Sequence, residues 1–229
     1  MFAVGLKEFK SLFKSIRSII IILFIFGVTL GAAKLISQYQ IQLQSLGIGD
    51  NAYVGGLFVI LFVAGPIFVT SLSHNIINKE VSSKTIRFLA TKTSRENIVL
   101  GKFFGNVLFW TTCVLLSLLL IVPFAKTFYF AEFIQSVIFI SYFIGLTVLL
   151  SVLINKPMLT LFLGIIFAFV FPVLGFWHLA SDNLFLKIFS YITPYFYYSQ
   201  EQSFYAYFVV IFPIVFVLLS LIIMRKKDF

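Results

Sequence analysis

Six runs of apolar residues, each long enough to cross a bilayer, decide what this chain can fold into. They cover residues 19–36, 53–72, 103–124, 133–154, 158–180 and 204–224. A helix of about 20 apolar residues spans a ~30 Å hydrocarbon core and satisfies its own backbone hydrogen bonds there. The runs therefore predict an all-α integral membrane protein with six transmembrane helices, forming a single transmembrane domain over residues 1–229. Charge content agrees: 11% of the residues are charged, against about 25% in soluble domains, too few to cover a water-facing surface. Only Asn155-Lys156-Pro157 separates the fourth and fifth runs, which predicts an antiparallel helical hairpin. Pro66, Pro172 and Pro213 fall inside runs, where neighbouring helices must satisfy the carbonyls that proline leaves free.

The net charge of +9 raises the question of nucleic acid, which would need a basic face on a soluble body. Placement answers it, and no nucleic-acid partner is expected. With the N-terminus inside, the inner segments hold Lys7, Lys10, Lys14, Arg17, Lys79, Lys84, Arg87, Lys92, Arg95, Lys102, Lys156, Arg225, Lys226 and Lys227. The outer side keeps Lys34, Lys126 and Lys187, so the 17 basic residues divide 14 to 3. Positive residues are retained on the cytoplasmic side during insertion, which predicts a multi-pass plasma-membrane protein with both termini cytoplasmic. A secretory signal ending near Gly31-Ala32-Ala33 is the rival reading. The segment before the first run is too long and too regular for a signal n-region, so that run is read as a retained span.

That segment, residues 1–17, has helical periodicity. Phe2, Leu6, Phe9, Leu12, Phe13 and Ile16 fall on one stripe, and Lys7, Lys10, Ser11, Lys14, Ser15, Arg17 and Ser18 fall opposite. An amphipathic interfacial helix is predicted, with aromatics in the acyl boundary and lysines toward lipid headgroups. It serves as a membrane anchor, as a helix that touches a cytoplasmic partner, or as both.

Residues 73–101 form the long inner loop. Ser82 or Ser83 is placed to cap a short helix through Ala90, and Ser94 to cap another with Glu96 in its first turn. The first would present Ile86, Phe88 and Leu89 beside Lys84, Arg87 and Arg95 as a docking knob. An ordinary solvated loop is the alternative. On the outer side, residues 181–203 precede the last span, and Tyr191 to Tyr198 suit either a short helical or re-entrant cap or an interfacial aromatic anchor.

The loop also resembles a known family. Permeases of the type-two ABC-transporter family carry a Glu, a Gly/Thr-rich turn, an apolar pair, a Ser-Arg and a Gly-Lys before their third span. Here Glu80, Thr85, Phe88-Leu89, Ser94-Arg95 and Gly101-Lys102 are similar, without the usual proline before Ser-Arg and with Lys84 where a Gly often precedes the Thr. The outer Tyr191-Ile192-Thr193-Pro194-Tyr195-Phe196-Tyr197 resembles the aromatic-proline segment of that family. The resemblance implies a permease half that pairs with a second permease, the same or a homologous chain, and with a cytoplasmic ABC ATPase holding ATP-Mg. It also implies a cytoplasmic coupling helix between spans 2 and 3, with Glu80, Thr85, Arg87, Phe88, Leu89 and Arg95 facing the ATPase. Pro194, Tyr195 and Phe196 are then candidates for an outer gate.

The residues agree in what they lack. Gly101-Lys102 is followed by Phe103, with no G-x-x-x-x-G-K-[ST] loop, so ATP use must come from another chain, and no enzyme activity is expected. His74 and His178 lie far apart, and no acidic residue sits well inside a run to relay protons. No metal site or bound cofactor is expected. Gly27-x-x-x-Gly31 marks a candidate close helix contact in the first span. The expected function is the transmembrane permease subunit of an ATP-driven exporter. Walls of Phe, Leu and Ile suit an amphipathic or hydrophobic cargo such as a toxin, antimicrobial peptide or lipophilic drug. An ATP-independent transporter or channel, or a membrane anchor for a soluble partner, are the alternatives.

Overall fold

The computed structural model describes residues 1–39, 52–83, 85, 93–177, 183–200 and 202–227. Every regular element among them is an α-helix. In chain order these are α1 (Phe2–Lys14), α2 (Ile16–Gln38), α3 (Ala52–Val63), α4 (Gly65–Ser73), α5 (Asn78–Ser82), α6 (Arg95–Ala125), α7 (Phe130–Leu153), α8 (Pro157–Trp177), α9 (Leu184–Ser190), α10 (Pro194–Tyr198), α11 (Tyr205–Phe208) and α12 (Ile211–Lys226).

Five helical stretches are long and apolar enough to cross a membrane, and a bent pair brings the number to six. The second span, expected over 53–72, is therefore a bent pair. Its two parts, Ala52–Val63 and Gly65–Ser82, meet at 51°. The cause is local: Pro66 has no N–H to donate to the carbonyl of Phe62, so the helical ladder lapses there. The last span opens with the short α11 before α12 continues it.

α7 is the axis of the bundle. It packs against α4, α6 and α12, and Phe139, Tyr142, Phe143, Ile144 and Val148 along it are fully enclosed. α2 and α8 pack on the outside and leave Ile20, Leu23, Phe24, Phe162 and Phe169 exposed, as lipid-facing helices do.

α1 folds back across α6, and glycine permits the approach. A Cβ at Gly105 would lie 2.6 Å from the carbonyl oxygen of Gly5, and one at Gly5 would lie 2.9 Å from that of Gly101. Gly101-x-x-x-Gly105 thus forms a close helix contact within the chain. Nothing among the described residues lies within 4 Å of a Cβ built at Gly27 or Gly31. The apolar stripe of α1 is divided by this docking. Leu12 is buried and Phe9 and Phe13 pack on the core, while Phe2, Leu6 and Ile16 stay exposed.

Candidate functional site

The functional geometry sits at the end of the bundle that carries both α1 and the end of α12. Lys102, in the second turn of α6, is almost fully buried. Its ammonium group lies 2.8 Å from Glu80 Oε1 on α5 and 4.0 Å from Glu8 Oε2 on α1. It also donates to the carbonyl oxygen of Ile76. A buried ammonium is tolerable only when its donors find acceptors, and here Glu80 and the Ile76 carbonyl supply them, with the Glu8 charge close by. Burial pushes the Glu8 carboxyl above its ordinary value, and the Lys102 charge opposes that rise. Lys7 and Lys79 oppose it as well, and Glu80 adds to it.

Around this cluster the chain leaving α4 is fastened to three spans. Ser151 Oγ of α7 accepts the backbone N–H groups of Ile77 (2.9 Å) and Asn78 (3.0 Å). It caps α5 from another helix, satisfying donors that a helix start leaves free. Asn78 Nδ2 donates to Thr160 Oγ1 of α8 at 2.9 Å. Ser73 Oγ donates to Asn106 Oδ1 of α6 at 2.6 Å, and Asn106 Nδ2 returns to the carbonyl of Lys102 at 3.1 Å. His74 Nδ1 lies 3.0 Å from the carbonyl oxygen of Ser71.

The same end is tied at its other side. Ser94 caps α6 by accepting from the Asn97 N–H at 3.3 Å, with Glu96 in the first turn, as expected. Arg95 Nη1 donates to the carbonyl oxygens of Met224 (3.5 Å), Arg225 (3.4 Å) and Lys227 (2.7 Å) at the C-terminus of α12. Arg225 Nε meets Glu96 Oε1 at 2.6 Å. Lys227 Nζ donates to the carbonyl of Val152 (2.8 Å) and to Asn155 Oδ1 (2.5 Å), and burial pulls its pKa down.

The residues expected to face the ATPase therefore have unequal placements. Glu80 is engaged inside the fold, and Thr85 shares a 2.8 Å hydroxyl contact with Ser83. Arg95 contacts the end of the last span. Arg87, Phe88 and Leu89 lie outside the described residues, as does most of the helix expected through Ala90. Ser83 follows the last turn of α5.

At the opposite end Pro194 opens α10, where a missing N–H costs nothing. Tyr195 is buried among Phe62, Phe139, Phe143 and Phe176, and its hydroxyl donates to the carbonyl of Phe62 at 2.7 Å. Tyr198 donates to the Gln135 carbonyl at 2.6 Å and Tyr142 to that of Ile192 at 2.7 Å. Phe196 is half-buried, edge-on to Tyr191.

The bundle of apolar helices with this arrangement can be compared with known proteins. Residues 2–229 match the family model described as ABC-2 family transporter protein. The chain belongs to that family. The ABC-2 protein is accordingly a multi-pass transmembrane subunit of an ABC transporter and is not itself the ATPase. Membership of the ABC-2 family implies an ABC ATPase as partner in general. A search of the curated proteins gives no match to this ABC-2 chain.

In this ABC-2 subunit, sequence reasoning missed Lys102, Glu8 and Ser151. The Gly-Lys pair before the third span and the lone Glu8 in a basic helix were the available signals. Ser151 carried none, since a single serine near the end of an apolar run reads as packing.

Proposed function

We propose that the chain is the permease subunit of an ATP-driven exporter of amphipathic or hydrophobic cargo, and that segment 73–101 transmits the stroke of a cytoplasmic ABC ATPase. The observation that carries this reading is the fastening of residues 73–80 to α6, α7 and α8 through Lys102, Asn106, Ser151 and Thr160. A loop moored by buried polar bonds to three helices moves them when it is pushed, because such bonds are costly to leave unmade. Phe88 and Leu89 supply the apolar contact to the ATPase in this proposal, with Thr85, Arg87 and Arg95 around it and Glu80 holding the base of the loop.

ATP-Mg belongs to the partner subunit. A second permease, this chain again or a homologue, completes the pathway, and both termini are cytoplasmic. Pro194, Tyr195 and Phe196 act as the outer gate. The cargo class is supported by charge placement. Among the described residues Lys102 is the buried cation, and it sits at the terminus-bearing end. An apolar groove of about 370 Å³ between α6, α7 and α12, walled by Phe103, Phe104, Val107, Pro213 and Val217, suits a greasy molecule.

Recovery of the ATPase with the permease tests the reading. Burying one large apolar side chain is worth ~1.5–3 kcal/mol, so Phe88→Asp is expected to weaken docking about tenfold or more at matched membrane abundance. Equal ATPase recovery and equal ATP turnover with wild type and variant would remove the proposal's support.

A further inference from the structure

Between α1, the start of α2 and the chain leaving α4 lies a cavity of about 640 Å³. Its charged lining is Lys7, Arg17, Lys79 and Lys102 against Glu8 and Glu80, four cations to two anions, a net of +2. Lys102 is consumed by its two carboxylates and the Ile76 carbonyl. Among the described residues, Lys7, Arg17 and Lys79 form no salt bridge. Five hydroxyl side chains (Ser11, Ser15, Ser71, Ser83 and Thr85) also line the cavity. Cations without a salt-bridge partner, among hydroxyls in a concave site of net positive charge, are the chemistry that holds a phosphate.

We propose that this cavity binds the phosphate of an anionic lipid headgroup. The lipid source is favoured over a free phosphate by what adjoins the cavity. Arg17 lies in the first turn of α2, whose next turns expose Ile20, Leu23 and Phe24 at 61%, 64% and 52%. An acyl chain attached to a phosphate at Arg17 therefore runs down an apolar track that begins within one turn of it. On the other flank α1 adds a second basic hollow, sharing Lys7 and Ser11 with the cavity and extending to Lys10 and Lys14. The α1–α2 elbow at Ser15 thus sits at headgroup depth, where basic residues meet anionic lipid. The site belongs to the permease alone and needs neither the ATPase nor the cargo of the preceding proposal.

Acylation of lysines in the purified full-length chain tests it, read residue by residue by peptide mass spectrometry. Phosphatidylglycerol added to detergent micelles is expected to shield Lys7 and Lys79 saturably, while phosphatidylcholine leaves both reactive. Inorganic phosphate that shields them at equal concentration would reassign the site to a soluble anion. Uniform shielding of Lys10 and Lys14 along with Lys7 and Lys79 would reduce the effect to diffuse attraction, and either result overturns the proposal. Arg17→Gln with Lys79→Gln is expected to lower phosphatidylglycerol affinity by about 30-fold, on two cations lost near a membrane surface. Arg17→Lys with Lys79→Arg should restore it, and Lys10→Gln with Lys14→Gln should change it little. Equal losses from the two glutamine pairs would also sink the idea.

Discussion

Tyr195 donates its hydroxyl proton to the carbonyl oxygen of Phe62, the acceptor that Pro66 leaves without its helical partner. The aromatic segment at α10 thus repairs the break in the second span. Tyr195→Phe is expected to cost about 1–3 kcal/mol, the penalty for leaving a part-buried carbonyl unpaired. Pro66→Ala restores an N–H to the helix, so Tyr195→Phe should cost less in that background. Thermal melts of the four proteins in detergent give the coupling, and additive losses would show that the two residues act separately.

The Lys102 cluster predicts a different asymmetry. Glu80→Leu leaves a buried ammonium short of its nearest carboxylate, at a cost of about 3–5 kcal/mol. Replacing all three charges, Glu80→Leu with Lys102→Met and Glu8→Gln, should recover much of that loss, because no charge of the cluster then needs desolvating. A triple variant no more stable than Glu80→Leu alone would contradict the placement of Lys102.

Acidity should strengthen the docking of α1. Burial holds the folded Glu8 carboxyl above its unfolded value despite Lys102, so the folded state binds its proton more tightly. Stability from this group is therefore full below the unfolded pKa and is lost as pH rises through the folded one. Compared with Glu8→Gln, the wild-type chain should gain melting temperature as pH falls from neutrality into the carboxylate range. Parallel pH profiles for the two proteins would rule out this linkage.

Gly105→Leu tests the backbone contact between α1 and α6. Its Cβ alone would meet the Gly5 carbonyl at 2.6 Å, and a backbone atom cannot swing aside. Overpacking of this kind costs about 1–3 kcal/mol, and here it should release α1. The expected readout is faster proteolysis after Lys7 and Lys10, with the spans intact. Gly27→Leu, in open space, serves as the comparison and should leave cleavage unchanged.

Cysteines at Ser11 and Asp228, in a chain with Cys113 replaced, should resist an impermeant thiol reagent in intact cells. One at Asn51 should react. Outside labelling at position 228 would reverse the proposed topology.

The spans were legible because a bilayer demands length and apolarity together, and runs such as 133–154 meet both. Ser94 was legible as a cap because capping is local. The bend at Pro66 was half legible: proline announced a vacant carbonyl, but its donor, Tyr195, lies far along the chain. At Gly27 and Gly31 no helix of this chain comes close among the described residues, since Gly-x-x-x-Gly says that a helix can be approached and not which helix comes. The charge cluster was hidden for the same reason. Glu8 read as one acid among lysines, and Lys102 as one more inner cation, until the fold of α1 over α6 brought them to Glu80.

The central position of α7 has a consequence for how the protein is made. Its Thr147 hydroxyl can bond at once to the Phe143 carbonyl within the same helix. Tyr142 has no such recourse, because its acceptor, the carbonyl of Ile192, lies 50 residues further along the chain. During synthesis α7 therefore enters the bilayer before its acceptor exists, with a phenol that must borrow water or lipid as a stand-in. The helix that ends as the best-packed in the bundle begins as one of its least satisfied.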